Sequence, residues 1–123
     1  MATANNLKKA VKKVLEGAVK GSVFYESAPE GASYPYYVFE MRRLSGDGPV
    51  DKYILEINAW DKYNTSSRIE DGMDKIDSLD KYKEMHAKES FAFAIYKGER
   101  EPVEDEDKSI RRIREQMELM VIG

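Results

Sequence analysis

The sequence predicts an α+β fold: an antiparallel β-sheet with an N-terminal helix and a central helix packed against it. Apolar residues recur at helical spacing in two separate stretches. Between those stretches lie two runs of period-two alternation joined by a glycine-rich turn. At 123 residues, with no internal repeat, residues 1–123 have the size of a single domain able to bury its own core.

The first helix is expected over Asn5 to Ala18, where Leu7, Val11, Val14, Leu15 and Ala18 share one face. Asn5 or Asn6 can cap it and Gly17 or Gly21 can end it. Lys8, Lys9, Lys12, Lys13 and Lys20 take the remaining surface, read most simply as a solvated face. "SVFYES" (22 to 27) reads as a short strand of β-branched and aromatic residues. "APEGASYP" (28 to 35) is a loop, with Pro35 at the mouth of the next strand, where no central ladder bond is lost.

From Tyr36 to Leu44 the strand alternates, Tyr37, Phe39 and Met41 on one face and Tyr36, Val38, Glu40 and Arg42 on the other. "SGDGP" (45 to 49) is the turn, its glycines supplying positive φ. In "DKYILEINAWDKY", Tyr53, Leu55, Ile57 and Ala59 make one apolar face, and Ile54, Glu56, Asn58 and Trp60 make a mixed one. This is the pattern of a hairpin with one face on a core and the other partly available.

The second helix is expected over residues 64 to 82, with Ile69, Met73, Ile76 and Leu79 as its stripe. Ser67 with Glu70 fits a capping box, with Ser66 or Thr65 as alternative caps. Gly72 inside it weakens the helix by about 1 kcal/mol relative to Ala and permits close packing. "SFAFAIYKGE" (90 to 99) is a further strand and "REPVEDED" (100 to 107) a polar loop. The last segment fits two periods: Ile110, Ile113, Met117 and Met120 suit a helix, Met117, Leu119 and Val121 a strand. The reading adopted is a short helix over Asp107 to Glu115, its acidic start favourable to the dipole, and a strand over Met117 to Ile122.

Composition excludes more chemistry than it suggests. The chain has no cysteine, which removes disulfides, thiol nucleophiles and cysteine-ligated metal, and fits a reducing compartment. The N-terminal stretch has scattered lysines and no unbroken apolar run, so neither a signal peptide nor a membrane span is expected. A net charge of −3 argues against a dedicated DNA binder. His86 is the sole histidine, too few for a zinc site, and reads as a solvated loop residue. Asp71, Asp74, Asp77 and Asp80 recur every three residues, a charged helical stripe and not the alternate spacing of a calcium loop. Gly46 and Gly48 match no phosphate-binding motif and no nucleophile elbow is present. No catalytic residue, cofactor or metal is expected; the chain reads as a binding or assembly protein and not as an enzyme. Trp60, Tyr34, Tyr36 and Tyr63 are the crowded aromatic group, suited to an interface and equally suited to core packing.

A lysine-rich first helix, then "PEGASYPYYVFE", a strand ending "INAWDKYNTSSRIEDGMDKI" and a late "PVEDEDKSIRRIREQMELMVI" together resemble the tail-terminator or tail-completion proteins of long-tailed phages and phage-derived tail particles. Pro35, Tyr36, Val38 and Phe39, then Ile57 and Trp60, stand at the matching positions. The likeness spans nearly the whole chain and is one of order and spacing. It implies a subunit that closes with copies of itself into a ring, typically a hexamer. Such a ring caps the tail tube, stops its polymerisation and presents a surface to the head's neck proteins, while DNA passes through without being held. Location in a virion tail and assembly in the host cytoplasm follow from the same resemblance.

Within that frame, Ser45, Gly46, Asp47, Gly48 and Pro49, with Lys97, Gly98, Glu99 and Arg100, are the candidate loops for contact with tube or neck. The acidic loop of Glu104, Asp105, Glu106 and Asp107 is a candidate lumen-facing segment, where negative charge would repel DNA phosphates. The alternatives are a head-tail connector of the neck, or a small non-enzymatic adaptor module.

Overall fold

The computed structural model of the chain describes residues 4–47, 50–79, 85–86 and 92–122. Within these, helix α1 spans Ala4–Ala18, followed by β1 (Ser22–Tyr25), β2 (Tyr36–Asp47) and β3 (Val50–Asp61). Helix α2 (Ser67–Asp77) comes next, then the two-residue β4 (Met85–His86), β5 (Ala92–Val103) and β6 (Arg111–Ile122). Among the described residues the strands form one sheet in the order β1-β2-β3-β6-β5-β4. Each described pairing is antiparallel except the short edge strand β1, which runs parallel to β2 with Ser22 opposite Tyr36. The expected α+β architecture holds, with this parallel edge as a departure: the ten-residue return from β1 brings the chain back to the end where it began.

The helices share one face of the sheet. Leu7, Val11 and Leu15 of α1, four residues apart, are buried, and so are Ile69, Met73 and Ile76 of α2. They meet Tyr37, Phe39, Leu55, Ile57, Ala59, Ile113, Met117 and Leu119 from the strands. Burying an aliphatic side chain of this size contributes about 1.5–3 kcal/mol, so the apolar stripes hold the two layers together. α2 is shorter at its start than the sequence suggests. Ser66 is its cap residue but makes no side-chain cap bond; the Thr65 hydroxyl accepts from the Ser67 amide at 3.3 Å instead. Ser67 therefore lies inside the helix, and no capping box with Glu70 forms.

Two further expectations are corrected. The segment from Lys97 to Val103 is not a loop, because β5 continues through it, and Asp107 to Glu115 holds no helix, because β6 already begins at Arg111. One residue pair explains both. Ile113, Glu115, Met117, Leu119 and Val121 alternate inward without a break, but a glutamate at a core position disguises the strand. Its partner is Arg100, brought to the same face by a bulge in β5. Tyr96 pairs with Glu118 and Glu99 with Gln116, so the β5 side carries one extra residue. Before the bulge Phe93 and Ile95 face the helices; after it the parity is inverted and Arg100 does.

Gly98 makes the bulge possible. A Cβ there would collide with the backbone carbonyl of Gln116 on β6, and backbone cannot swing aside. Gly98→Ala is therefore expected to lower stability by about 1–3 kcal/mol, the usual cost of forced overpacking, as read by urea unfolding. Gly17→Ala is the control: nothing lies within 4 Å of the added methyl, and a gain of up to about 1 kcal/mol in helix propensity is expected.

Candidate interaction face

The face of the sheet opposite the helices carries the side chains with functional potential. It is built in cross-strand rows, which the pairing registers define. At one end Tyr36, Trp60, Arg112 and Val103 lie side by side; in the next row come Val38, Asn58, Arg114 and Glu101. Tyr36 and Trp60 stack with centroids 5.3 Å apart and planes 19° from parallel. Tyr34 and Phe24 flank Tyr36 at 5.4 Å and 6.3 Å. On the far side of Trp60 the Arg112 guanidinium lies 4.8 Å from the ring centroid, within cation–π range. The Arg112 fork donates to Asn58 Oδ1 at 3.0 and 3.3 Å.

A polar ladder continues from this strip. Asn58 donates to Glu56 at 3.3 Å, Gln116 donates to the other Glu56 oxygen at 3.1 Å, and Arg114 pairs with Glu101. These fixed rotamers make the face a preorganised surface: its side chains lose little further entropy when a partner covers them. The aromatic end offers area, and the arginines offer directional donors, the combination enriched at protein interfaces.

Behind this face the end of β3 is clamped to the start of α2. Asp61 is fully buried, and Arg68 grips both of its oxygens, Nε to Oδ2 at 2.8 Å and Nη2 to Oδ1 at 2.6 Å. Arg68 also lies 4.4 Å from the Tyr63 ring. Arg111 donates to the Tyr63 and Asn64 carbonyls at 3.4 and 3.0 Å. The turn from Trp60 into α2 is thus held by two arginines, which fixes the aromatic end of the face.

The sequence-predicted residues divide between these layers. Phe39 and Ile57 are core, Tyr36, Val38 and Trp60 belong to the opposite face, and Pro35, which follows Tyr34 through a cis peptide, immediately precedes β2. Ser45, Gly46 and Asp47 form the end of β2 in register with β3, so the turn is narrower than expected; Gly48 and Pro49 lie outside the described residues. Lys97, Gly98, Glu99 and Arg100 are strand residues, a correction to their assignment as a loop. Arg100 in particular is engaged inward, by Glu70, Asp74, Asp77 and Glu115. His86 lies in β4 rather than in a loop. Glu104, Asp105, Glu106 and Asp107 do form a connection, between β5 and β6. That loop has local order: Asp107 Oδ1 accepts from the Ser109 hydroxyl and amide at 2.7 and 2.9 Å, which holds the Asp107 carboxyl below its ordinary range.

Sequence reasoning found Tyr36 and Trp60 but not Arg112, whose signal was its phase with Arg114 once β6 is read from Arg111. Among the described residues no group of three or more His, Cys, Asp or Glu side chains could hold a metal ion. No helix among them is long and apolar enough to cross a membrane.

No family model matches the chain, and no curated protein matches it. Among the solved structures that resemble it are two of similar fold. One is a chain from the virion of a native gene transfer agent particle, 15% identical, TM-score 0.61, aligned over 97% of this chain and 90% of its own. The other carries no functional name and is 11% identical, TM-score 0.59, aligned over 97% of this chain and 92% of its own. The likeness is one of fold and extends over nearly the whole chain.

Tyr37 supplies a test of the layered packing. It lies on the helix side, where its hydroxyl occupies the space a side chain at Gly72 would need. Burial, reinforced by Asp61 and Asp71, pushes its phenol up to about 12 from the ordinary 10.0. The unfolded chain ionises first, so this contribution is intact below pH 10.0 and is lost as pH rises towards about 12. Tyr37→Phe is expected to remove that alkaline loss, followed by circular dichroism against pH; an unchanged alkaline transition would contradict the packing.

Proposed function

We propose that this chain is a structural virion subunit of the tail-terminator kind. In this reading it closes with its own copies into a ring, hexameric by the family resemblance, that caps the tail tube, ends its polymerisation and joins the tail to the neck. It performs no catalysis, binds no cofactor, and lets DNA pass through the ring. The observation that carries the reading is the fold held in common, over nearly the full length of both chains, with a component of a gene transfer agent virion. The sequence resemblance points the same way independently.

The surfaces suit such a role. A closed ring needs two different patches on each subunit, in heterologous contact. Pairing through strand edges is disfavoured here: β1 is only four residues long, and the outer part of β5 carries Glu99, Glu101 and the exposed Pro102. The preorganised face around Tyr36, Trp60 and Arg112 is the better contact. The acidic loop Glu104–Asp107 is then assigned to the lumen, where it would repel phosphate.

The test is to add the protein to tail-tube subunits as they polymerise and to measure tube lengths by electron microscopy. Short tubes with density at one end are expected. Unchanged lengths and bare ends, with binding to neck or portal proteins instead, would replace the terminator with a connector. Arg112→Glu and Trp60→Ala should fold normally but weaken capping by about 2 kcal/mol or more, the range of an arginine or aromatic anchor. Capping at wild-type strength by both would remove this face from the interface.

A further inference from the structure

On the helix side of β6, opposite the proposed interface, Glu115 is 1% exposed. One of its oxygens accepts from Arg100 Nε at 2.8 Å. The other, Oε2, is buried with no donor, and the same is true of Asp77 Oδ1 on α2. The two carboxyls are neighbours on one guanidinium, since Arg100 donates to one oxygen of each. The rest of the Arg100 guanidinium is already committed, Nη1 to Glu70 at 2.8 Å and to Asp74 at 2.9 Å, Nη2 to Asp77 at 2.5 Å.

Charge counting sharpens the difficulty. α2 contributes Glu70, Asp74 and Asp77, β5 contributes Arg100, and β6 contributes Glu115; the β3 residue opposite Glu115 is the uncharged Ile57. Four carboxylates against one guanidinium leave a local charge of −3 if all are ionised. Two ionised carboxylates held on one guanidinium would repel, and each would keep a buried oxygen without the donor such an acceptor requires. One proton between them supplies a donor, satisfies both oxygens and lowers the charge.

We propose that Glu115 carries a proton that it donates to Asp77, and that this hydrogen bond is a pH-sensitive fastening of α2 to the sheet. It is complete in acid, weakens as pH climbs towards neutrality and is lost above it, where the two carboxylates push helix and strand apart. Burial first, and then the hydrogen bond with Asp77, raise the Glu115 carboxyl to about 7, while Arg100 opposes the rise. The folded value lies above the ordinary 4.5, so the fastening is fully present below pH 4.5, weakens as pH climbs, and is gone above about 7. The inference stands on these contacts alone and is independent of the proposed virion role.

The decisive experiment is a carboxyl-carbon NMR titration of the full chain, alongside urea unfolding of the wild type, Glu115→Gln and Asp77→Asn across pH 4.5 to about 7 and above. In the wild type, one glutamate carboxyl should titrate near 7, and Asp77→Asn should displace that midpoint. The wild-type unfolding constant should rise with pH by up to about tenfold per unit more than that of Glu115→Gln, whose amide can donate to Asp77 at every pH. A Glu115 carboxyl titrating in the ordinary carboxylate range, or equal pH slopes in wild type and Glu115→Gln, would overturn the proposal. The wild-type titration decides the matter even if neither variant folds.

Discussion

The structure depends on a single arginine turned to the unexpected side of a strand. Arg100 reaches α2 only because the bulge at Lys97 and Gly98 inverts the parity of β5, and once there it gathers carboxylates from α2 and from β6. A buried ion pair is a weak source of net stability, because desolvation offsets most of the attraction. Its effect here is positional: a glutamate buried at 1% exposure in β6 can be tolerated only where Arg100 arrives. The bulge, the glycine, the arginine and the glutamate therefore form one unit, and removing any member strands the others.

With α2 fixed there and clamped again at Asp61 by Arg68, one face of the sheet is closed and the other is left to the solvent. The closed face is mainly apolar, with the Arg100 and Arg68 ion pairs at its junctions with α2. The other face is organised without being covered: the Tyr36–Trp60 stack, the Arg112 cation over it and the Glu56 ladder hold their geometry through contacts within the sheet. A domain that fixes aromatic and arginine side chains on an uncovered surface is suited to meeting another protein. That asymmetry, together with the fold shared with a virion component, is what the functional reading rests on.

Most of the layered architecture is legible in the sequence, because Leu7, Val11 and Leu15, the alternation of Tyr37 and Phe39, and that of Leu55, Ile57 and Ala59 follow the periods of helix and strand without interruption. The losses concentrate in the C-terminal third and share one cause. Glu115 breaks the apolar alternation of β6, and the bulge with its following "GEREP" makes β5 look like a loop. Each residue is explicable only by the other, across fifteen positions of sequence, and such compensation is invisible to local patterning. For the same reason the aspartates at every third position read only as a charged stripe, although Asp74 and Asp77 pair with Arg100. Trp60 and Tyr36 were readable as an aromatic group, but their stacking and the arrival of Arg112 required the register of β2, β3 and β6. The parallel pairing of β1 was not readable, since four residues carry no signal of direction.

The central claim is that the sheet face opposite the helices is kept for neighbouring proteins of a virion. Electron cryomicroscopy of tail tubes assembled with this chain tests it most directly. The account predicts a ring of copies at the head end of the tail tube, with Tyr36, Trp60 and Arg112 buried against a neighbour and α2 turned away from that contact. A subunit found with this face in open solvent, or held to its neighbours through α1 and α2, would contradict it.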